Sequence, residues 1–348
     1  MKIFRKKVLE KDNENIYQYI LINDNDIEIK ILTLGGIITD IMVPDKYGRK
    51  ENVVVKWKEL KDYFDDDAYT GSIIGRTAGR IADGKAEING EEYDFNINNA
   101  GVNQLHGGKV GFNKKIWSDK HLESKNNVSL ILEYRSIDGE EGYPGNLDVK
   151  VIYSLNNNNE FSIEYSAVSD RDTLVNMTNH AYFNLSGNMK SNILDHTLKI
   201  KASNVAEIRE DGAPNGNIFN VENTPFDFRE EKTIKKDLWE DNNQLDRGNG
   251  YDHPWILDEH NNCIKLEDEK SGRIMEVSTD SKATVIYTTN YPSNKILFNG
   301  NHLMEQGAIC IETQNLPIGE NNKFVEDSIL LKDTEFKRKT IFKFSVTR

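Results

Sequence analysis

Residues 147–168 alternate apolar and polar side chains with a period of two. The arms LDVKVIYSL and EFSIEYSAV are rich in β-branched and aromatic residues, and residues 156–159, all Asn, join them. A helix repeats every 3.6 residues, so this alternation yields one clean apolar face only in an extended strand. The pattern predicts a β-hairpin, with Asn suited to a turn of positive φ. Similar short strand patterns recur at 16–22, 27–33, 36–43, 86–96, 129–135, 195–202, 283–289, 308–313 and 341–347. Strands at this density, separated by turn residues, predict an all-β chain: a large antiparallel β-sandwich with few short helices. Helical patterns are confined to 56–64 and 230–240, both with charged faces. No Pro/Gly/Ser-rich linker, charge block or fixed-period repeat divides the chain, so a single domain over residues 1–348 is expected.

The chain has 44 Lys+Arg against 57 Asp+Glu, a net charge of −13. That excess repels nucleic acid and anionic membrane surfaces at long range, so neither is expected as a partner. A neutral small molecule is easier to reconcile with it. Two cysteines, Cys263 and Cys310, do not make a disulfide framework. The basic amino terminus is not followed by an apolar run of signal-peptide length, and no stretch approaches the ~20 apolar residues of a membrane helix. A cytoplasmic protein is expected, monomeric or homodimeric. Dinucleotide, P-loop and zinc motifs are missing, so no cofactor or metal is expected and chemistry falls to side-chain acids and bases.

Four segments offer such groups. In VNMTNHAYFNL (175–185), a strand would put Asn176, Thr178, His180 and Tyr182 on one face. That face is rich in hydrogen-bonding groups and suits a polyhydroxylated ligand, with His180 able to exchange a proton near neutral pH. In AICIETQN (308–315), Glu312 follows an apolar strand and shares a face with Cys310 and Gln314. A carboxylate there is costly unless paired or functional, and burial raises its pKa toward that of a general base. In GRTAGRIADG (75–84), Arg76 and Arg80 are four apart, and LHGG (105–108) carries His106; an Arg fork clamps hydroxyls or carboxylates. In GYDHP (250–254), Asp252 reads as an exposed-loop carboxylate beside His253. Each group has a structural alternative: a satisfied core His, a strand-end ion pair, a loop salt bridge, a turn-capping Asp.

Taken together, these segments resemble the aldose 1-epimerase (galactose mutarotase) family. The resemblance runs from about Leu34 to Phe344 and also takes in DGEEGYPGNL (138–147) and TPFDFR (224–229). It implies the family's large β-sandwich with a sugar cleft on a concave sheet. It implies cofactor-free interconversion of the α and β anomers of free aldohexoses such as galactose and glucose. Position by position, it implies His180 as general acid, Glu312 as general base, and Arg80, His106 and Asp252 as sugar-binding residues. Two positions depart from the family: Gly79 stands where Asn is common, and 290–301 is long where a residue packs on the sugar. Two other uses of the same groups remain open: a non-catalytic carbohydrate-binding or sensor protein, and a glycosidase using Asp252 and Glu312. For the epimerase, a bell-shaped pH profile is expected, its acidic limb from Glu312 and its basic limb from His180.

Overall fold

The computed structural model describes residues 1–347. Three antiparallel sheets carry the architecture. A nine-stranded sheet runs in the order Ser118–Glu123, Asn127–Ser136, Leu147–Asn156, Glu160–Ser169, Glu335–Val346, Arg273–Thr279, Ile264–Asp268, Thr197–Ile200, Lys232–Thr233. A six-stranded sheet runs Tyr182–Phe183, Ile309–Gln314, Ala283–Tyr287, Asp252–Ile256, Asn204–Ile208, Pro214–Asn220. A five-stranded meander runs in chain order from Lys2–Lys11 to Lys50–Asn52.

The predicted hairpin is there, Leu147–Asn156 pairing with Glu160–Ser169. Its alternation does what a period of two requires. Leu147, Val149, Val151 and Tyr153 are buried in the main core, while Asp148 and Lys150 face solvent. The same core takes Ile309, Ile311, Trp255 and Ile286 from the six-stranded sheet and Ile29, Ile31 and Ile41 from the meander. The segment read as one strand at 86–96 is a tight hairpin, Lys85–Ile88 against Glu91–Asp94, turning at Asn89 and Gly90.

The helix expectations need correction. Within 56–64 there is only the 3-10 turn Leu60–Tyr63, and within 230–240 only Ile234–Lys236. Residues 232–233 are taken by the sheet, which leaves too little chain for an α-helix. The helix that does form, Asn243–Gly248, is started by the Asn242 side chain, which accepts from the Gln244 and Leu245 N–H groups. It ends at Asn249 in the left-handed region. Among the described residues no helix is long and apolar enough to cross a membrane.

Candidate active site

The strand Ile309–Gln314 has two faces with opposite duties. Ile309 and Ile311 enter the core. Alternation therefore turns Cys310, Glu312 and Gln314 to the other side of the sheet, where Glu312 and Gln314 line a cleft of about 880 Å³, counting the space open to solvent. The neighbouring strands repeat the pattern: Val285 and Tyr287 face the cleft while Ile286 faces the core. Asp252 and Pro254 face the cleft, and Trp255 the core. Arg80, His106 and His180 reach it from loops and short bridges. All five residues singled out for the site thus line one cavity.

His180 and Glu312 meet there, with His180 Nε2 3.5 Å from Glu312 Oε1, both side chains buried. His180 Nδ1 is 3.5 Å from the Cys310 thiol. The segment 175–185 is not one continuous strand as expected. Thr178–Asn179 pairs with Ile73–Ile74, Tyr182–Phe183 pairs with Ile309–Gln314, and His180 sits at the break. The main chain at the break is tied down: His180 N–H donates to Ser72 O, and its own carbonyl accepts from Gly71 N–H. Asn176 turns away from the cleft to exchange hydrogen bonds with the backbone of Asn315.

His106 is held by a separate set of contacts. Its Nδ1 accepts from the Gly79 N–H at 3.2 Å, and its own N–H donates to Gly79 O. Asn98 braces Leu105 and Gly108 on either side, and the Glu141 carboxylate accepts from the N–H groups of Lys109 and Val110. Because Nδ1 accepts, the neutral ring carries its proton on Nε2. His106, His180 and Glu312 place heteroatoms within 4.8 Å of one another. That tautomer nevertheless makes His106 a hydrogen-bond donor rather than a metal ligand, since ligating histidines donate through the second nitrogen.

The two arginines separate completely. Arg80 is partly exposed, donating to Asn99 Oδ1 and lying 3.7 Å from Asp252 Oδ2. A side chain at Gly212 would meet its guanidinium at 2.6 Å. Arg76 is buried and spends its N–H groups on Ser136, Ile137, Pro144, Gly145 and Thr173. Of the two, only Arg80 lines the cleft. Asp252 is not an exposed-loop residue either: it opens the strand Asp252–Ile256 and is half-buried, while His253 turns into the core against Phe226. Gly79 has φ +73, and a Cβ there would meet the Pro317 ring at 2.5 Å. The space a side chain would need is filled by Pro317.

Burial sets the electrostatics. It pushes the Glu312 carboxyl well above the usual range, and the Asp252 charge adds to this while Arg80 opposes it. Burial lowers His180 to about 4 and takes His106 well below its ordinary value. Asp252 is raised by burial, with Arg80 opposing. Two buried acceptors in the cleft, Glu312 Oε2 and Gln314 Oε1, have no protein partner. Such atoms cost roughly 1–3 kcal/mol each unless a donor reaches them, which suits a ligand bearing several hydroxyls. The sequence reading missed Tyr69 and Tyr287, both in the cleft wall, and could not choose within 290–301; only Tyr291 of that stretch lines the cleft. Strand alternation puts Tyr287 beside Val285, but which side faces the cleft depends on sheet packing.

A family model described as aldose 1-epimerase matches residues 17–343. The galactose mutarotase of Bos taurus is 36% identical over 329 residues, 93% of each chain. The aldose 1-epimerase of Haemophilus influenzae is 35% identical over 310 residues, 88% of each. A crystal structure of galactose 1-epimerase from Lactobacillus acidophilus NCFM superposes with a TM-score of 0.90 at 29% identity, covering 100% of this chain and 99% of that one. A sandwich whose buried His and Glu meet in a cleft with free acceptors, matched over 88–100% of its length by these relatives, has one consistent assignment: this chain belongs to the aldose 1-epimerase family.

Proposed function

We propose that the protein is a mutarotase that interconverts the α and β anomers of free aldohexoses, galactose and glucose among them, by acid/base ring opening and closure. The observation that carries this reading is the buried His180–Glu312 pair, 3.5 Å apart in a cleft with unsatisfied acceptors. The family supplies the substrate class, a small aldose.

In the proposed cycle, Glu312 as carboxylate takes the proton of the anomeric hydroxyl. His180 as imidazolium gives its proton to the ring oxygen while the C1–O5 bond breaks. The open-chain aldehyde rotates about C1–C2. Glu312 then returns its proton to the carbonyl oxygen and His180 takes one from O5–H as the ring closes on the other face. The pair carries one proton throughout. Before opening it is carboxylate plus imidazolium; beside the aldehyde it is carboxylic acid plus neutral imidazole. Burial favours the uncharged arrangement, so the site is matched to the open-chain intermediate. His106, a donor through Nε2, and Arg80 stabilise charge developing on the sugar oxygens. Asp252 accepts sugar hydroxyls and fixes the ring. Tyr287 supplies the apolar wall.

The same directions reverse the expected limbs of the pH profile. Activity requires the pair to hold one proton. It is lost at low pH when His180, lowered to about 4, takes up a second proton. It is lost at high pH when the raised Glu312 gives up the only one.

The deciding experiment is polarimetry on freshly dissolved α-D-galactose and α-D-glucose, with a Glu312→Gln variant in parallel. Acceleration over the spontaneous rate that disappears in the variant is the expected result. Hydrolysis of a chromogenic glycoside would replace the reading with a glycosidase. The buried His180 beside Glu312 has a role in the mutarotase cycle and none in that alternative. Sugar binding without turnover would leave a sensor on the same sandwich. We take the setting to be cytoplasmic and the protein to be a monomer or homodimer, in line with two buried, unpaired cysteines.

A further inference from the structure

Tyr69 occupies a backbone conformation that aromatic residues seldom adopt, with φ of +55. Strain of this kind persists where the surroundings over-determine it and clusters at functional sites. The surroundings here are explicit. The Asp66 carboxylate accepts from the N–H groups of Ala68 and Thr70, closing the turn around Tyr69. Tyr182 Oη donates to Ala68 O, and both the N–H and the hydroxyl of Ser72 donate to Tyr69 O. Gly71 and Ser72 then bond the main chain of His180. The loop is therefore clamped to the very residue its tyrosine faces.

The Tyr69 ring stands against both cleft histidines. It stacks on His180 at 6.1 Å between centroids and 29° between planes, and meets His106 edge-on at 4.7 Å. Its hydroxyl takes a 3.4 Å contact from the Asn98 amide, the same amide that braces the His106 loop. Of the groups packed on His180, only Glu312 is a carboxyl; burial raises the Cys310 thiol and the tyrosine hydroxyls, which stay neutral. The others are Cys310 from the same strand, Tyr287 from the next, His106 from its loop, Tyr182 two residues on, and Tyr69.

We propose that Tyr69 is a positioning residue of the mutarotase reaction: it fixes the His180 and His106 rings and offers its π face to the His180 imidazolium. The inference rests on the acid role of His180 proposed above. A ring face attracts a cation, most strongly where water is excluded, and so favours the charged arrangement of the His180–Glu312 pair over the neutral one. The hydroxyl is secondary and the ring is the working part.

The test uses the full chain with Tyr69→Asn and Tyr69→Phe. Asn tolerates positive φ, so the first variant removes the ring without forcing the backbone; the second keeps the ring. Polarimetric kcat/KM for galactose is measured from pH 3 to 9, and the His180 ring is titrated over the same range by nitrogen-detected NMR. For Tyr69→Asn, the His180 titration and the acidic limb move down by about half a pH unit or more, and plateau kcat/KM falls at least ~3-fold. Tyr69→Phe stays within about twofold of the parent with its limb unmoved. An unmoved His180 titration in a folded Tyr69→Asn variant overturns the proposal, as does equal damage in Tyr69→Phe. If Tyr69→Asn does not fold, a displaced His180 titration in folded Tyr69→Phe likewise overturns it, and an unmoved one supports the ring. Failure of the mutarotase reading itself is seen separately, as no acceleration by the parent protein, while the NMR titration still reports on the ring.

Discussion

Two buried histidines of this protein face a carboxylate, and only one of the pairs is built for chemistry. His180 lies 3.5 Å from Glu312, and His196 lies 3.9 Å from Asp268. Burial lowers both rings to about 4. What differs is whether the free valence reaches the cleft. His196 Nε2 accepts from the Leu185 N–H, and Asp268 accepts from Ser271 N–H; neither residue lines the cleft. At His180 the partner is a weak thiol, and Glu312 keeps one oxygen unpartnered toward the cleft. His196 Nδ1 is likewise unpartnered, so a buried His–acid pair is a functional candidate when its free valence opens on a cleft a ligand can enter. Burial and perturbed titration alone do not distinguish it.

Substitutions at the two pairs should separate cleanly. Glu312→Gln removes the proposed base while keeping shape, and mutarotation should fall ~10²–10⁴-fold. Its melting temperature should stay level or rise, because the buried carboxyl is disfavoured as an anion. His196→Ala should do the reverse. It leaves the Leu185 N–H unpaired beside a cavity, costing about 2–4 kcal/mol in urea unfolding, while kcat at 20 °C per folded molecule stays unchanged. Loss of kcat in folded His196→Ala would erase the distinction.

Acid should report on the core pair through stability. A His lowered in the folded state binds protons more readily when unfolded, so stability is lost as pH falls from about 6.5 toward 4. The slope from His196 approaches ~1.4 kcal/mol per pH unit. Unfolding at pH 7, 6 and 5 should therefore give a flatter dependence in His196→Ala than in the parent. The smallest effect concerns ligand. Galactose at ten times its Kd should stabilise the parent by about 1.4 kcal/mol. His196→Ala should gain the same increment, and Arg80→Lys a smaller one at equal sugar concentration, since it loses the planar fork.

How much of this was legible in sequence depended on whether a local rule sufficed. The hairpin at 147–169 was readable because both arms alternate and the Asn run marks the turn. The strand Lys2–Lys11 was not, because it is a largely exposed edge carrying five Lys and Arg among ten residues and shows little alternation. Strands 252–256 and 273–279 were also missed; their apolar residues are set by packing against the Phe226–Trp255 cluster and the nine-stranded sheet. The five site residues were all offered as candidates by reading their segments, but only the resemblance to a family gave them roles. Arg76 and Arg80 look alike as text, yet one is a buried brace and the other a cleft residue.

The sequence by itself determined the strand-rich class, the alternation that splits Glu312 from Ile311, and the set of side chains able to carry acid/base chemistry. These follow from the two-residue repeat of an extended chain and from side-chain chemistry, which are local properties. The tertiary structure alone decided which face of the six-stranded sheet became the cleft. It alone placed Tyr69 against His180 and chose which His–acid pair kept an unspent oxygen. Those outcomes depend on strand register and on packing between segments more than 100 residues apart, and no local pattern encodes either.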